Sequence, residues 1–95
     1  MFRINVILAV NDPADIDRVR ELLSDAAALS KAEPGCVRFE VYHSTSDPQV
    51  FILNEWWESE AAWTAHRDER AFSEIYRPQV LPLVTRVPHI CELLS

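Results

Sequence analysis

Alternation opens the chain. In FRINVILAV the residues Phe2, Ile4, Val6, Leu8 and Val10 fall on one parity and are all apolar, whereas Arg3, Asn5, Ile7 and Ala9 on the other are mixed, the pattern of a strand with one face fully buried. The period then lengthens. Asn11 or Asp12 supplies an N-cap, Pro13 sits just inside, and Ile16, Val19, Leu22, Leu23, Ala26 and Ala27 mark one stripe of a helix. Glu33-Pro34-Gly35 ends it, since Pro34 cannot continue a helix and Gly35, the only glycine, takes positive φ freely. CVRFEVYHS then alternates Val37, Phe39, Val41 and His43 against Cys36, Arg38, Glu40 and Tyr42, and TSDPQ turns the chain into the strand VFILNEWWE. Ser59 caps a second helix carrying Ala62, Trp63 and His66 and, after a break, Phe72, Ile75 and Tyr76. Pro78 and Pro82 force a bend or a fresh start, and HICELLS after Pro88 reads as a last strand.

The order is β-α-β-β-α-β in one domain, residues 1–95: an α+β, ferredoxin-like fold with both helices on one face of a four-stranded antiparallel sheet. That face-to-layer ratio leaves the second sheet face bare. Trp56 and Trp57 are adjacent in a strand and so leave the sheet in opposite directions, each with roughly 150–250 Å² to bury. One goes beneath the helices; the other needs a second copy of the chain, and a face-to-face homodimer supplies an identical sheet. Which tryptophan faces which way is left open by the sequence.

Composition narrows the partners. The net charge is −6 and there is no basic run, which argues against nucleic acid as a partner. No stretch reaches the roughly 20 apolar residues that cross a bilayer. Cys36 and Cys91 have no C-x-x-C spacing, and the alternating N-terminus lacks a leader's cleavage pattern, so a reducing cytoplasm is expected. A P-loop, G-x-G-x-x-G, G-x-S-x-G and H-E-x-x-H are all absent, and the three histidines lack metal-ligand spacing.

The segments EPGCVRFEV, FILNEWWESEAAWTAH and RAFSEI, in that order, together resemble the antibiotic biosynthesis monooxygenase family, small dimeric α+β barrel proteins that include quinol monooxygenases. The specific elements are Glu33-Pro34-Gly35-Cys36, Glu55-x-Trp57, and Ala62 followed by His66 with Phe72 beyond. Relatives include oxygenases, haem-degrading enzymes and a sugar-phosphate isomerase, so the resemblance specifies fold more sharply than chemistry. Many members carry a histidine directly before the phenylalanine, where this chain has Ala71. The haem-degrading branch matches at Asn5 but has tryptophan in place of His66 and its haem-ligating histidine in place of Tyr76.

The resemblance implies a monooxygenase that needs no flavin, metal or other cofactor and takes a small aromatic substrate, a hydroquinone or anthrone, together with dioxygen. His66 is the candidate base, because an imidazole exchanges protons near neutral pH; a packed histidine bonded to a carbonyl or to Glu55 is the alternative. Asn5 and Tyr76 are candidates to hold oxygens, Trp57, Trp63 and Phe72 to wall a planar ring, and Asn54 and Arg38 to contact substrate. Two further readings stay open: an isomerase of a small phosphorylated or keto metabolite, which calls for a cation in the pocket, and a dimeric binding module, which calls for a pocket with no polar group aimed at its centre.

Overall fold

A computed structural model describes all residues, 1–95. Strand β1 is Phe2–Val10, helix α1 Ile16–Ser30, β2 Cys36–His43, β3 Val50–Trp57, α2 Glu60–His66, α3 Ala71–Val80 and β4 Val84–Cys91. The strands form one antiparallel sheet in the order β2-β3-β1-β4. This is the expected ferredoxin-like arrangement, and the helices cover one face. Ile4, Val6, Leu8 and Val10 of β1 are buried there against Val19, Leu22 and Leu23 of α1, with Phe51 and Leu53 of β3 and Val80 of α3 completing the core.

Local chemistry sets the boundaries. The Asp12 carboxylate accepts from Ala14 N at 2.9 Å and caps a single 3₁₀ turn, Pro13–Asp15, which leads into α1. The Ser59 hydroxyl accepts from Ala62 N at 3.1 Å and caps α2. Gly35 is required twice over: its φ is +81°, and a Cβ there would lie 2.7 Å from the Ala62 Cβ, so the turn before β2 packs directly on α2.

Three expectations are corrected. The last strand begins at Val84 rather than after Pro88 and ends at Cys91; Pro88 is paired opposite Val6, which an edge strand tolerates because one of its sides needs no ladder donors. The fresh start expected in this stretch falls at Pro82, in a 3₁₀ turn Leu81–Leu83, and not at Pro78, which lies inside a continuous helix. Helix α3 is π-helical through it, and the Gln79 side-chain amide donates to the Glu74 carbonyl at 3.0 Å, the acceptor an α-helix would have paired with the missing Pro78 N–H. Val37 does not share the face of Phe39, because a bulge between Cys36 and Arg38 shifts the register and leaves Val37 exposed.

The face away from the helices is ordered in cross-strand rows. Tyr42, Ile52, Ile7 and Val87 form an exposed apolar row across the four strands; Glu40, Asn54, Asn5 and His89 form a polar row; Arg38, Trp56, Arg3 and Cys91 form a third. Trp56 is sandwiched in the third row, with the guanidinium of Arg38 4.2 Å and that of Arg3 4.7 Å from its ring. Trp57, on the helix face, is completely buried.

Candidate active site

Alternation along β3 decides what reaches the space between sheet and helices. Phe51, Leu53, Glu55 and Trp57 point under the helices, so a carboxyl is carried into an otherwise apolar layer. The Trp57 indole N–H donates to Glu55 Oε1 at 3.1 Å. Burial pushes the Glu55 carboxyl above the ordinary carboxylate range, against the pull of the Trp57 hydrogen bond and of His66 and Arg86.

His66, the last residue of α2, projects into the same space and is almost fully buried. Its ring is caged by aromatic neighbours: Trp57 at 4.7 Å, Phe72 at 5.8 Å and Phe39 at 5.9 Å between centroids. Nδ1 lies 2.6 Å from Oε1 of Glu33, whose side chain is only 8% exposed. With Glu33 as carboxylate and the imidazole neutral, the bond places the proton on Nδ1 and leaves the Nε2 lone pair unused. Burial raises the Glu33 carboxyl and Glu69 adds to the rise, while His66 draws it back down.

Across the pocket, Arg86 Nε donates to the Tyr76 hydroxyl oxygen at 3.1 Å. Burial raises the Tyr76 pKa although Arg86 opposes it, so the phenol keeps its proton and has it free to donate elsewhere. Phe39, Trp63 and Phe72 supply apolar walls, and the Ser30 hydroxyl, buried without a partner, also lines the space. The space is narrow inside; the figure of about 430 Å³ of non-protein space counts its mouth and the open solvent beside it.

The structure thus brings His66, Tyr76, Trp63 and Phe72 together. It does not bring the others. Trp57 stands behind His66 as support rather than at the pocket wall. Asn5, Asn54 and Arg38 lie on the opposite sheet face: the Asn54 amide donates to Asn5 Oδ1 at 2.7 Å, Asn5 donates to Cys91 Sγ at 3.2 Å, and Arg38 flanks Trp56 with Glu40 3.6 Å away. The reason is parity, since Asn5 alternates with the buried Ile4 and Val6 and therefore points away from the helices. Glu55, expected as a possible partner of His66, bonds Trp57 instead, and Glu33 of the Glu33-Pro34-Gly35-Cys36 element takes that place; Arg86 carries no mark in the sequence. Glu55 carried a signal, a charge on the apolar parity of β3; Glu33 and Arg86 reach the pocket through tertiary contacts that no local pattern announces. Cys36 and Cys91 are unpaired, and burial pushes the Cys36 thiol up to about 11. No group of three or more His, Cys, Asp or Glu side chains is placed to hold a metal ion.

A ferredoxin-like sheet roofed on one side, with a buried histidine–carboxylate pair beside an aromatic pocket, defines the class of this α+β domain. The profile of the antibiotic biosynthesis monooxygenases matches residues 1–78, and the chain belongs to that family. Among solved structures it is similar to a Bacteroides thetaiotaomicron protein of unknown function described as a possible oxidoreductase, with 23% identity, a TM-score of 0.88 and coverage of 97% of this chain and 96% of that one. It is also similar to an antibiotic biosynthesis monooxygenase, with 20% identity, a TM-score of 0.87 and full coverage of both chains (100% and 100%). A Mycobacterium tuberculosis protein aligns over 100% of this chain and 97% of its own at 24% identity and a TM-score of 0.85. No curated protein matches the chain. The family match ends before β4, the strand that contributes Arg86.

Proposed function

We propose that the protein is a homodimeric monooxygenase that oxidises a planar hydroquinone or anthrone with dioxygen, using its own residues rather than a flavin or metal. The observation that carries this is the buried His66–Glu33 pair, which presents a free imidazole nitrogen to an aromatic-walled pocket. Removing an acidic proton makes such a ring electron-rich enough to reduce dioxygen, so the protein has to supply a base, orientation and exclusion of water. In the anthrone case the ring CH₂ gives a proton to Nε2 of His66, and the carbanion reduces dioxygen to a carbon-bound peroxide. That peroxide is protonated, and loss of the second C–H proton expels its outer oxygen, leaving a C=O group and one water. The Tyr76 hydroxyl, held by Arg86, donates to the oxygen on which negative charge develops. Trp63 and Phe72 flank the ring. Asn5, Asn54 and Arg38 take no part in this scheme.

Oxygen uptake on anthrones and hydroquinones tests it. Wild type should consume dioxygen above the spontaneous rate, and His66→Ala should lower kcat by roughly 10²–10⁴-fold, the range for a positioned general base. Absence of uptake above background with every substrate overturns the proposal; full activity in the variant overturns the role of His66.

A second reading, isomerisation of a small phosphorylated or keto metabolite, is favoured by one observation, the Arg86 cation at the pocket. It predicts turnover without oxygen and loss of substrate binding in Arg86→Met.

A further inference from the structure

A second cleft lies beside the aromatic pocket. It is lined by Ala32, Glu33, Pro34, Glu69 and Arg70 among others and holds about 450 Å³ of non-protein space, including its opening. His66 lines the first space but not the second, and Glu33 lines the second but not the first. Their hydrogen bond therefore spans the wall between the two. One oxygen of the Glu33 carboxyl is used in that bond; the other is closed off from solvent, and the Ser30 hydroxyl faces the carboxyl. Glu33 itself borders the polar cleft, where water is available.

We infer that Glu33 is the proton outlet of the site, a positioning residue that carries the proton His66 takes up in the aromatic pocket onward to water in the second cleft. This rests on the proposed role of His66 as base. As Nε2 gains a proton, the Nδ1 proton passes to the Glu33 carboxylate, and from there to a cleft water. The imidazole is neutral again, with the substrate's proton on Nε2 and Nδ1 bare, so one net proton has left the site. No electrons move. A neutral imidazole N–H is a far weaker acid than an imidazolium, so exporting the net proton keeps the substrate anion from being reprotonated before dioxygen arrives; the same path run backwards lets Nε2–H protonate the peroxide as Glu33 returns a proton to Nδ1. The groups facing Glu33 are His66 from α2, Cys36 and the Ser30 hydroxyl on either side of the turn, and Glu69 and Arg70 from the segment before α3. Glu69 and Arg70 line the cleft itself, so the outlet ends among charged, hydrated groups.

The test is the exchange rate of the His66 Nδ1 proton with solvent, followed by NMR on the substrate-free protein. Glu33→Gln keeps an acceptor for Nδ1–H but cannot carry a proton, and should slow exchange by roughly 10²-fold, the lower end of what a positioned acid–base group contributes. Ala32→Phe fills the cleft from an exposed position and should slow exchange too. Unchanged exchange in Glu33→Gln, or slowing there without slowing in Ala32→Phe, overturns the outlet. Because no substrate or oxygen is involved, this result is independent of whether the oxygen-uptake assay succeeds.

Discussion

Glu55 occupies a core position that its neighbours Leu53 and Trp57 fill with apolar side chains, and ionising it there is unfavourable. Its raised pKa has a definite sign in the stability of the fold. The folded state holds the proton more tightly than the unfolded chain, so this contribution is complete below the ordinary carboxylate pKa and is lost as pH rises through the raised one. Glu55→Gln keeps an acceptor for the Trp57 indole and has no charge to bury. It should match wild type near pH 4 in denaturant unfolding and exceed it at pH 8, by more than the ~0.5 kcal/mol of an ordinary surface change. An equal difference at both pH values would show that the carboxyl is not buried as described. At this scale the sequence was half legible. His66, Tyr76, Trp63 and Phe72 stood at the right helical spacing for one pocket, but Asn5 and Asn54 attracted attention as polar interruptions when their parity already directed them away from it. The partner of His66 lies 33 residues earlier, in a turn that stood out as a helix end and as an element of the family resemblance but not as a partner of this histidine.

Among the elements, the turn before β2 does the most to locate the site, because it carries Glu33 and rests on α2, which carries His66. The Glu58 N–H donates to the Gly35 carbonyl at 2.8 Å, tying the end of β3 to the same turn. Gly35→Ala must place a side chain in left-handed backbone and push against Ala62 at once. Thermal or denaturant unfolding should show a loss of about 1–3 kcal/mol, the range for a strained non-glycine residue, and the His66 ring signals should shift with it as the pair with Glu33 is disturbed. A neutral substitution would mean the turn relaxes without consequence. The three strands and two helices with clear periodicity were readable, since period 2 and period 3.6 are printed directly in the side chains. The region from Pro78 to Pro88 was not: a π-helix preserves neither period, and a proline in a strand reads as a stop unless the strand is known to lie at an edge, which only the sheet order reveals.

For the whole molecule, the uncovered sheet face is the outstanding feature. Its apolar row, its unpartnered Arg3 Nε and Asn54 Oδ1, and the half-buried Trp56 all lie on that one surface. These support the proposed homodimer. The two tryptophans separate assembly from folding. Trp56→Glu places a carboxylate between Arg3 and Arg38, where it is neutralised, and should yield a folded protein that sediments as a monomer. Trp57→Glu buries a charge in a fully enclosed site beside Glu55 and should fail to fold, or unfold at much lower temperature. A wild-type protein that sediments as a monomer, or a dimeric Trp56→Glu, overturns the assignment of this surface. Strand β3 therefore carries two messages interleaved, even-numbered positions addressed outward and odd-numbered ones inward. Deleting a single residue from its middle would transpose them, sending a carboxyl and the core indole into solvent while drawing an amide and the arginine-clasped ring beneath the helices. Deleting two neighbours would shorten the strand yet leave both messages in their proper envelopes, so evolutionary length changes here should come in pairs.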